Sequence, residues 1–202
     1  MMPLGLSQPV TLTTRITHWF GRLLGVDAAP SVLPDPVTRP PTPIRSAADL
    51  QTESMKDAWN RLEAKRGARA FLSRADIDPA ELKSVLPTIG LIEVHRAPLR
   101  FRVRLAGTSW RQMLNFEPTG LWLEEWPNPI QKQLLELTWT EAVNGSCAVH
   151  ARRHAIVEGL ALHYEVMTIP LAADGNTIDM LLIMSAPWHG APRSAIERVP
   201  AD

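Results

Sequence analysis

Two groups of strands, separated by a helical block, constrain the fold of this chain more than any other feature of its sequence. Apolar and basic residues alternate from Leu99 to Leu105, a pattern typical of a half-buried strand, and 88–94 is predicted to pair with it. Turn residues divide a second group of three predicted strands, 146–157, 160–170 and 177–185. A helix is predicted over 129–143, between the groups. Because connections within each group are short, this order predicts an α+β domain with a five-stranded antiparallel sheet and helices on one face.

Two flanking helices are predicted before the first strand. Residues 46–65 repeat apolar side chains at helical spacing, and Met55 and Trp59 lie on their apolar side. Asp78 is a suitable N-cap for a second helix because Pro79 follows it, and Pro87 would end that helix.

Proline divides the chain into segments. Six prolines between residues 29 and 43 indicate a linker over 29–45, followed by the domain at 46–186 and a tail at 187–202. In the upstream segment, 1–28, an amphipathic helix is predicted from apolar residues at steps of four, three and four: Leu12, Ile16, Trp19 and Leu23. A helix of this length is marginal alone in water, so we expect it to dock on its own domain, on a partner protein or on a membrane surface.

Charge and composition argue against several classes of function. The chain has 21 basic and 21 acidic side chains, so no net field attracts nucleic acid. The longest apolar run, near 180–184, is far shorter than the roughly 18 residues of a membrane-spanning helix. The N-terminus lacks the pattern of a secretory signal and Cys147 is the only cysteine, so a reducing cytoplasm is expected.

The sequence contains no recognisable motif for catalysis or metal binding. A nucleophile elbow, a phosphate loop, a dinucleotide fingerprint and a His-Glu-x-x-His helix are all absent. Strand alternation would place Cys147 opposite His150 and His154, and roughly 13 Å separates two strand residues four apart, too far for one ion. We therefore expect no catalytic residue and no metal site. Arg152 and His154 are expected on an exposed sheet face, with polar anchoring of a ligand as the alternative.

Three arginines, Arg100, Arg102 and Arg104, lie opposite the apolar side of their predicted strand. We expect them to be solvated, or to pair with acids of the 46–65 helix such as Glu53 and Asp57. Binding of an anionic partner is the alternative, which no interleaved aromatic residues support.

Several short motifs follow one another in a characteristic order. They are Arg74-Ala-Asp76-Ile-Asp78-Pro79, Leu86-Pro87, Phe101-Arg-Val-Arg104-Leu-Ala-Gly107-Thr108 and Thr119-Gly120, accompanied by Trp59, Gly67, Arg69 and 89–94. Over residues 55–186, this combination resembles a family of bacterial stand-alone PAS-type sensor domains whose function is largely unassigned. The resemblance implies a five-stranded sheet with helices over one face, often enclosing a small cavity. It also implies signal reception or partner binding rather than catalysis.

Aromatic residues supply most candidates for lining such a cavity, since four of the seven tryptophans lie between residues 110 and 139. The candidate ligand contacts are Trp110, Met113, Trp122, Trp139, His154 and Tyr164. Cys147 does not lie in the Asn-Cys-Arg-Phe type motif of flavin photosensors of this superfamily. No histidine occurs in 108–144 to serve as an axial haem ligand, which disfavours haem. The cofactor is therefore unknown.

Relatives of this kind commonly dimerise through flanking helices, which indicates candidate interface residues: Leu12, Ile16, Trp19, Leu23, Met55 and Trp59. The expected function is a non-enzymatic sensory or regulatory module that acts through another signalling protein or a homodimer, with gating by a small ligand. The alternative is a ligand-free adaptor localised by its N-terminal amphipathic helix, for which peripheral membrane contact stays open. An enzyme with an unrecognised site ranks below both.

Overall fold

The computed structural model describes residues 33–34, 40–114, 116–157 and 160–187, with the backbone alone at 33–34, 112–113, 154–157 and 160–163. Its strands are β1 (Leu33–Pro34), β2 (Thr42–Pro43), β3 (Gly90–His95), β4 (Arg100–Ala106), β5 (Val149–Val157), β6 (Leu160–Leu171) and β7 (Met180–Pro187). The five long strands form one antiparallel sheet in the order β5-β6-β7-β3-β4, and β1 and β2 each pair with the outer edge of β5. The predicted α+β fold with five principal antiparallel strands is confirmed.

Three α-helices occur in the described residues: α1 (Glu53–Arg66), α2 (Thr108–Leu114) and α3 (Pro129–Asn144). The start of α3 agrees with the sequence, because the Asn128 side chain accepts hydrogen bonds from the amides of Ile130 and Gln131, both at 3.0 Å. Pro129 is tolerated at the first helical position. None of these helices combines the length and the apolar character needed to cross a bilayer.

The sheet is covered on both faces. On one face, α1 and the segment 72–89 bury a cluster that includes Met55 and Leu182. On the other face, α2 and α3 bury a second cluster that includes Trp139 and Leu181. Since neighbouring residues of β7 point to opposite faces, Leu181 and Leu182 enter different clusters. The flanking helix and the other helices thus lie on opposite sides of the sheet.

The predicted flanking helix over 46–65 is interrupted in the structure. A single 3₁₀ turn at Ala47–Asp49 is followed by extended residues, and α1 begins only at Glu53. The interruption is stabilised by Glu165 of β6, whose carboxylate accepts hydrogen bonds from the amides of Gln51 and Thr52, both at 2.8 Å.

The predicted helix from Asp78 to Pro87 is wrong. This stretch forms turns and one short 3₁₀ helix, Leu86–Thr88. The Asp78 carboxylate accepts the amide of Ala80 at 2.8 Å, which is the local hydrogen bond of an Asx turn. Leu82 and Val85 are nevertheless buried, so this segment contributes to the core without being helical.

Residues 40–45, part of the predicted linker, lie along the sheet in the structure. Thr42 and Pro43 form β2, and the amide of Ile44 donates to the carbonyl of Ala148 at 2.8 Å. Ile44 belongs to the core cluster beneath α1. The packed unit therefore includes residues that precede Ser46.

Several residues of the sequence motifs have structural roles. The guanidinium of Arg69 donates to the Asp76 carboxylate at 2.9 Å, and this hydrogen bond holds the pKa of Asp76 at about 2. At Gly107, a Cβ atom would lie 2.4 Å from the carbonyl oxygen of Pro87, so only glycine permits this approach. These motifs thus specify how the chain turns before β3 and after β4.

Candidate functional site

Two polar side chains of the sheet, Arg153 of β5 and Tyr164 of β6, lie in the apolar layer beneath α3. They are paired directly across the two strands, so they share one face of the sheet. That face is the α3 side, since Nη2 of Arg153 donates to Oγ1 of Thr138 at 2.8 Å. Arg153, Tyr164 and Thr138, named here the Arg153 cluster, form the candidate ligand site.

Burial shifts the pKa values of Arg153 and Tyr164 in opposite directions. Arg153 is only 7% exposed, and this burial lowers the pKa of its guanidinium, which still remains a cation at neutral pH. Burial raises the pKa of the Tyr164 hydroxyl, against the opposing effect of the Arg153 charge. Tyr164 is therefore a protonated hydroxyl beside a buried cation. Two hydrogen-bond donors next to a positive charge suit a carboxylate or another small anionic group.

Two buried hydroxyls lie on the α3 side of the sheet, that of Thr138 within the Arg153 cluster and that of Thr168 outside it. Oγ1 of Thr138 donates to the carbonyl of Leu134 at 2.8 Å, which leaves it an acceptor for Arg153. Thr168 of β6 is fully buried, and its Oγ1 has no hydrogen-bond partner within the described residues. Such a group normally bonds to a buried water or to a ligand. This face is consequently more polar than the alternating sequence predicts.

The predicted ligand contacts do not form one site. Trp139 is 1% exposed and meets Phe101 edge to face at 5.5 Å between ring centres, so it is a core residue beside the Arg153 cluster. Nε1 of Trp110 donates to the carbonyl of Thr88 at 2.8 Å, and its ring packs directly on Gly90. Tyr164 of β6 lies on the side of the sheet that faces α3. The side chains of Met113 and His154 lie outside the described part of the structure.

Trp122 lies on the surface, away from the other predicted ligand contacts. Its ring is covered by the guanidinium of Arg100, 4.0 Å from the ring centre, and His95 contacts it at 4.8 Å between centres. Arg100 also donates to Glu124 at 2.8 Å, which holds the pKa of Glu124 below its ordinary value. Trp122 therefore packs against an ion pair and does not line the buried face.

The arginines of β4 do not pair with the predicted acids. Arg104 donates to Glu93 of the neighbouring strand at 2.9 Å, and Arg100 pairs with Glu124 as described above. Glu53 and Asp57 instead pair within α1, with Lys56 and Arg61. The helix α1 packs against β7, which β3 separates from β4 in the sheet. Glu53 and Asp57 therefore form their ion pairs with basic residues on the exposed side of α1.

The predicted interface residues divide into two groups. Met55 and Trp59 are 0% and 7% exposed and pack against the sheet of their own chain, so they are core residues instead. The other four, Leu12, Ile16, Trp19 and Leu23, lie outside the described residues. Met55 and Trp59 are therefore not available as surface contacts for a second copy.

The face covered by α1 carries a second group of polar contacts, near the N-terminal end of the packed unit. Nε2 of His150 hydrogen bonds to Oγ1 of Thr42 at 2.8 Å, which joins β2 to β5. An open cleft of about 270 Å³ lies beside it, lined by Pro40, Thr42, Ala48, Asp49, Gln51, His150, Ala151 and Arg152. Glu165 is fully buried one strand away and caps the start of α1. These contacts hold the N-terminal residues of the packed unit on the sheet.

Acid is expected to weaken this attachment through His150. Burial lowers the pKa of His150 below its ordinary value of 6.5, and Arg152 lowers it further, while Glu165 and Asp49 oppose the shift. Because the folded state holds this proton less tightly than the unfolded state, the stability contributed by His150 is present above the unfolded pKa and is lost as pH falls from there through the lower folded pKa. Urea unfolding from about pH 8 to about pH 5 should show a smaller loss of stability for His150→Gln than for the wild type. Equal losses in the two proteins would contradict this assignment.

The described residues offer little for catalysis or metal binding. They contain no group of three or more His, Cys, Asp or Glu side chains able to hold an ion. Burial raises the pKa of the Cys147 thiol, and Glu141 raises it further, which makes Cys147 a poor nucleophile. A raised pKa likewise keeps Tyr164 protonated, so it is not poised as a base.

Arg153, Thr138 and Glu165 were missed by sequence reasoning. One feature of the sequence could have identified Arg153. In the predicted strand every second residue faces inward, and a charged side chain occupies one of the inward positions, which are Val149, Ala151 and Arg153. No such feature identified Thr138 and Glu165, because their partners lie 15 and 113 residues away along the chain.

Comparison with known proteins bears on nearly the whole packed unit. A family model described as PAS domain matches residues 49–185. The matched region contains α1, α2, α3 and all five long strands apart from the last two residues of β7. No curated protein and no solved structure matches the chain. The candidate ligand site lies entirely within the matched residues.

Proposed function

Since the chain belongs to the PAS-domain family, whose members are sensory and regulatory modules, we propose that it binds a small anionic ligand and acts through protein contacts without catalysis. The Arg153 cluster is the observation that carries this proposal. The buried guanidinium of Arg153 donates hydrogen bonds to Oγ1 of Thr138 and to the carbonyl of Arg152, and its positive charge within an apolar layer makes this place suited to an anionic group. Thr138 of α3 accepts a hydrogen bond from Arg153, and Tyr164 of β6 lies directly opposite Arg153 on the neighbouring strand.

The non-catalytic part of the proposal rests on the chemistry of the same residues. An arginine and a protonated tyrosine bind and orient an anion, but neither removes a proton at neutral pH. The cluster contains no nucleophile paired with a base, which acyl or phosphoryl transfer would need. Recognition is therefore the function these side chains support.

A route for the signal is supported by the two faces of β6. Tyr164 belongs to the ligand face, and the next residue, Glu165, points to the other face and anchors Gln51 and Thr52. A ligand that shifts this strand would change how the residues before α1 are held. We propose that these residues, which lead out of the packed unit, transmit the ligand state to another signalling protein or to a second copy.

Ligand binding is tested with the intact chain and two matched arginine variants. We expect small carboxylates such as acetate, succinate or benzoate to raise the melting temperature of the wild type, since a ligand at about 100 times its Kd stabilises by about 2.7 kcal/mol. Arg152→Gln should keep this response, because Arg152 is exposed and on the opposite face of the strand. Arg153→Gln should lose it. An identical response in all three proteins, or no response in any, would count against the proposed site.

A further inference from the structure

A line of apolar side chains on α3 faces solvent. Ile130 and Leu137 are 40% and 46% exposed, and the partly exposed Leu134 lies between them. Steps of four and three residues place all three on one side of the helix. The opposite side of α3 buries Trp139 and Val143 in the core, so the helix is apolar on two sides. An exposed apolar line of this kind commonly marks a docking surface.

We propose that residues 12–24 of the same chain form a helix that docks on this line of α3. The segment repeats its own apolar residues, Leu12, Ile16, Trp19 and Leu23, at steps of four, three and four. Two helices whose apolar residues recur at these steps pack along their length, each filling the gaps of the other. An isolated helix of this length is marginal in water, so docking supplies the stability that it lacks alone.

The chain is long enough to bring the segment to α3. Leu33 pairs with Ile156 on the outer edge of β5, only three residues beyond Arg153, which contacts α3 through Thr138. Three residues of strand span about 10 Å, and the adjacent strand lies about 5 Å further out. The eight residues from 25 to 32 reach up to about 28 Å when extended. Leu24 can therefore lie alongside α3 without disturbing β1.

Charge favours the same arrangement. The first 26 residues contain Arg15 and Arg22 and no acidic residue. On α3, the exposed Glu141 continues the apolar line one turn beyond Leu137. Opposite charges at the edge of an apolar contact add modest attraction and select the partner. A helix docked here would cover the turn of α3 that precedes Thr138, a member of the Arg153 cluster.

Thiol labelling of the full-length chain tests this docking. Cys147 is first replaced by Ser. A single cysteine is then introduced on the apolar line by Leu134→Cys or away from the line by Glu136→Cys. Position 136 lies about 100° around the helix from Leu137. Each chain is compared with and without Ile16→Glu, which disrupts the apolar side of the N-terminal segment. We expect Ile16→Glu to raise the reaction rate of the thiol at position 134 with an aromatic disulfide reagent at least tenfold, and to change the rate of the thiol at position 136 less than twofold.

The other possible occupants give different results. Equal reaction rates of the Leu134→Cys chain with and without Ile16→Glu in lipid-free buffer would overturn the proposal. This is the result expected if the N-terminal segment binds a membrane or another protein instead. Protection of this thiol that disappears on dilution, together with a dimer in sedimentation, would also overturn it, because a second copy would then be the occupant. Protection that is independent of protein concentration supports docking within one chain. Far-UV circular dichroism melts of all variants show whether the packed unit is intact.

Discussion

Replacing Glu165 with alanine is expected to lower the free energy of unfolding by roughly 3 to 5 kcal/mol. Its buried carboxylate accepts hydrogen bonds from the amides of Gln51 and Thr52 and from the Thr52 hydroxyl, the last at 2.6 Å. Hydrogen bonds to a charged acceptor contribute about 1.5 to 3 kcal/mol each, and removing the acceptor leaves the donors at the start of α1 unsatisfied. Part of this loss is offset because the desolvation cost of the buried carboxylate is also removed. Urea unfolding followed by circular dichroism measures the loss.

Two further variants isolate the cause of this loss. Glu165→Gln keeps the shape and one acceptor oxygen, so it should lose about half as much stability as Glu165→Ala. Glu53→Ala removes an exposed carboxylate from the first turn of α1 and should cost about 0.5 kcal/mol, the usual effect of one such charge at a helix start. If Glu165→Ala cost no more than Glu53→Ala, Glu165 would not be the anchor of α1.

Replacing Trp139 with alanine is expected to cost about 3 to 5 kcal/mol, the range measured for buried aromatic residues reduced to alanine. Trp139 is 1% exposed, and its ring meets Phe101 of β4, so truncation leaves a cavity between α3 and the sheet. The result distinguishes a core residue from a residue that lines an open cavity. If Trp139 is a core residue, the protein loses this much stability; if Trp139 lines an open cavity, the protein loses much less.

Controls on the same helix make the measurement specific. Trp139→Phe retains most of the apolar contact and should cost about 1 to 2 kcal/mol. Gln133→Ala, at an exposed position of α3, should change stability by less than about 0.5 kcal/mol. A Trp139→Ala protein as stable as Gln133→Ala would restore Trp139 as a cavity wall.

Elements with one continuously apolar side were predictable from the sequence. In β4, Phe101 and Val103 are buried and Arg102 between them is exposed, as the alternation predicts, although Leu105 at the end of the strand is 41% exposed. The start of α3 was also predictable, since Asn128 and Pro129 form a local start signal that needs no distant partner. Short connections then determine which strands become neighbours, and together these features led to the correct fold class.

Features that depend on distant partners were not predictable. The 46–65 helix is interrupted because Glu165, more than a hundred residues away, binds the amides of Gln51 and Thr52. From local sequence alone, Gln51 and Thr52 continue the helical spacing. In the same way, the hydrogen bonds of Asp78 could serve a helix or a turn, and the turn formed.

The ligand contacts predicted from the sequence lie in different parts of the structure. Tyr164 of β6 and Trp139 of α3 both lie in the layer between α3 and the sheet, whereas Trp122 packs against Arg100 away from this layer. Aromatic residues predict burial without saying which face receives them. The more informative signal is the charged Arg153 at an inward position of β5, where an apolar side chain is normal.

Native mass spectrometry of the freshly purified full-length chain tests the central claim, that the Arg153 cluster holds a small ligand. The wild type and Arg152→Gln should carry an extra mass that is lost on denaturation, and Arg153→Gln should retain less than about a tenth of it, a difference of about 1.4 kcal/mol in binding. A bare chain mass in all three proteins, or the same extra mass in Arg153→Gln, would contradict the claim. A bare mass throughout would favour the ligand-free adaptor instead.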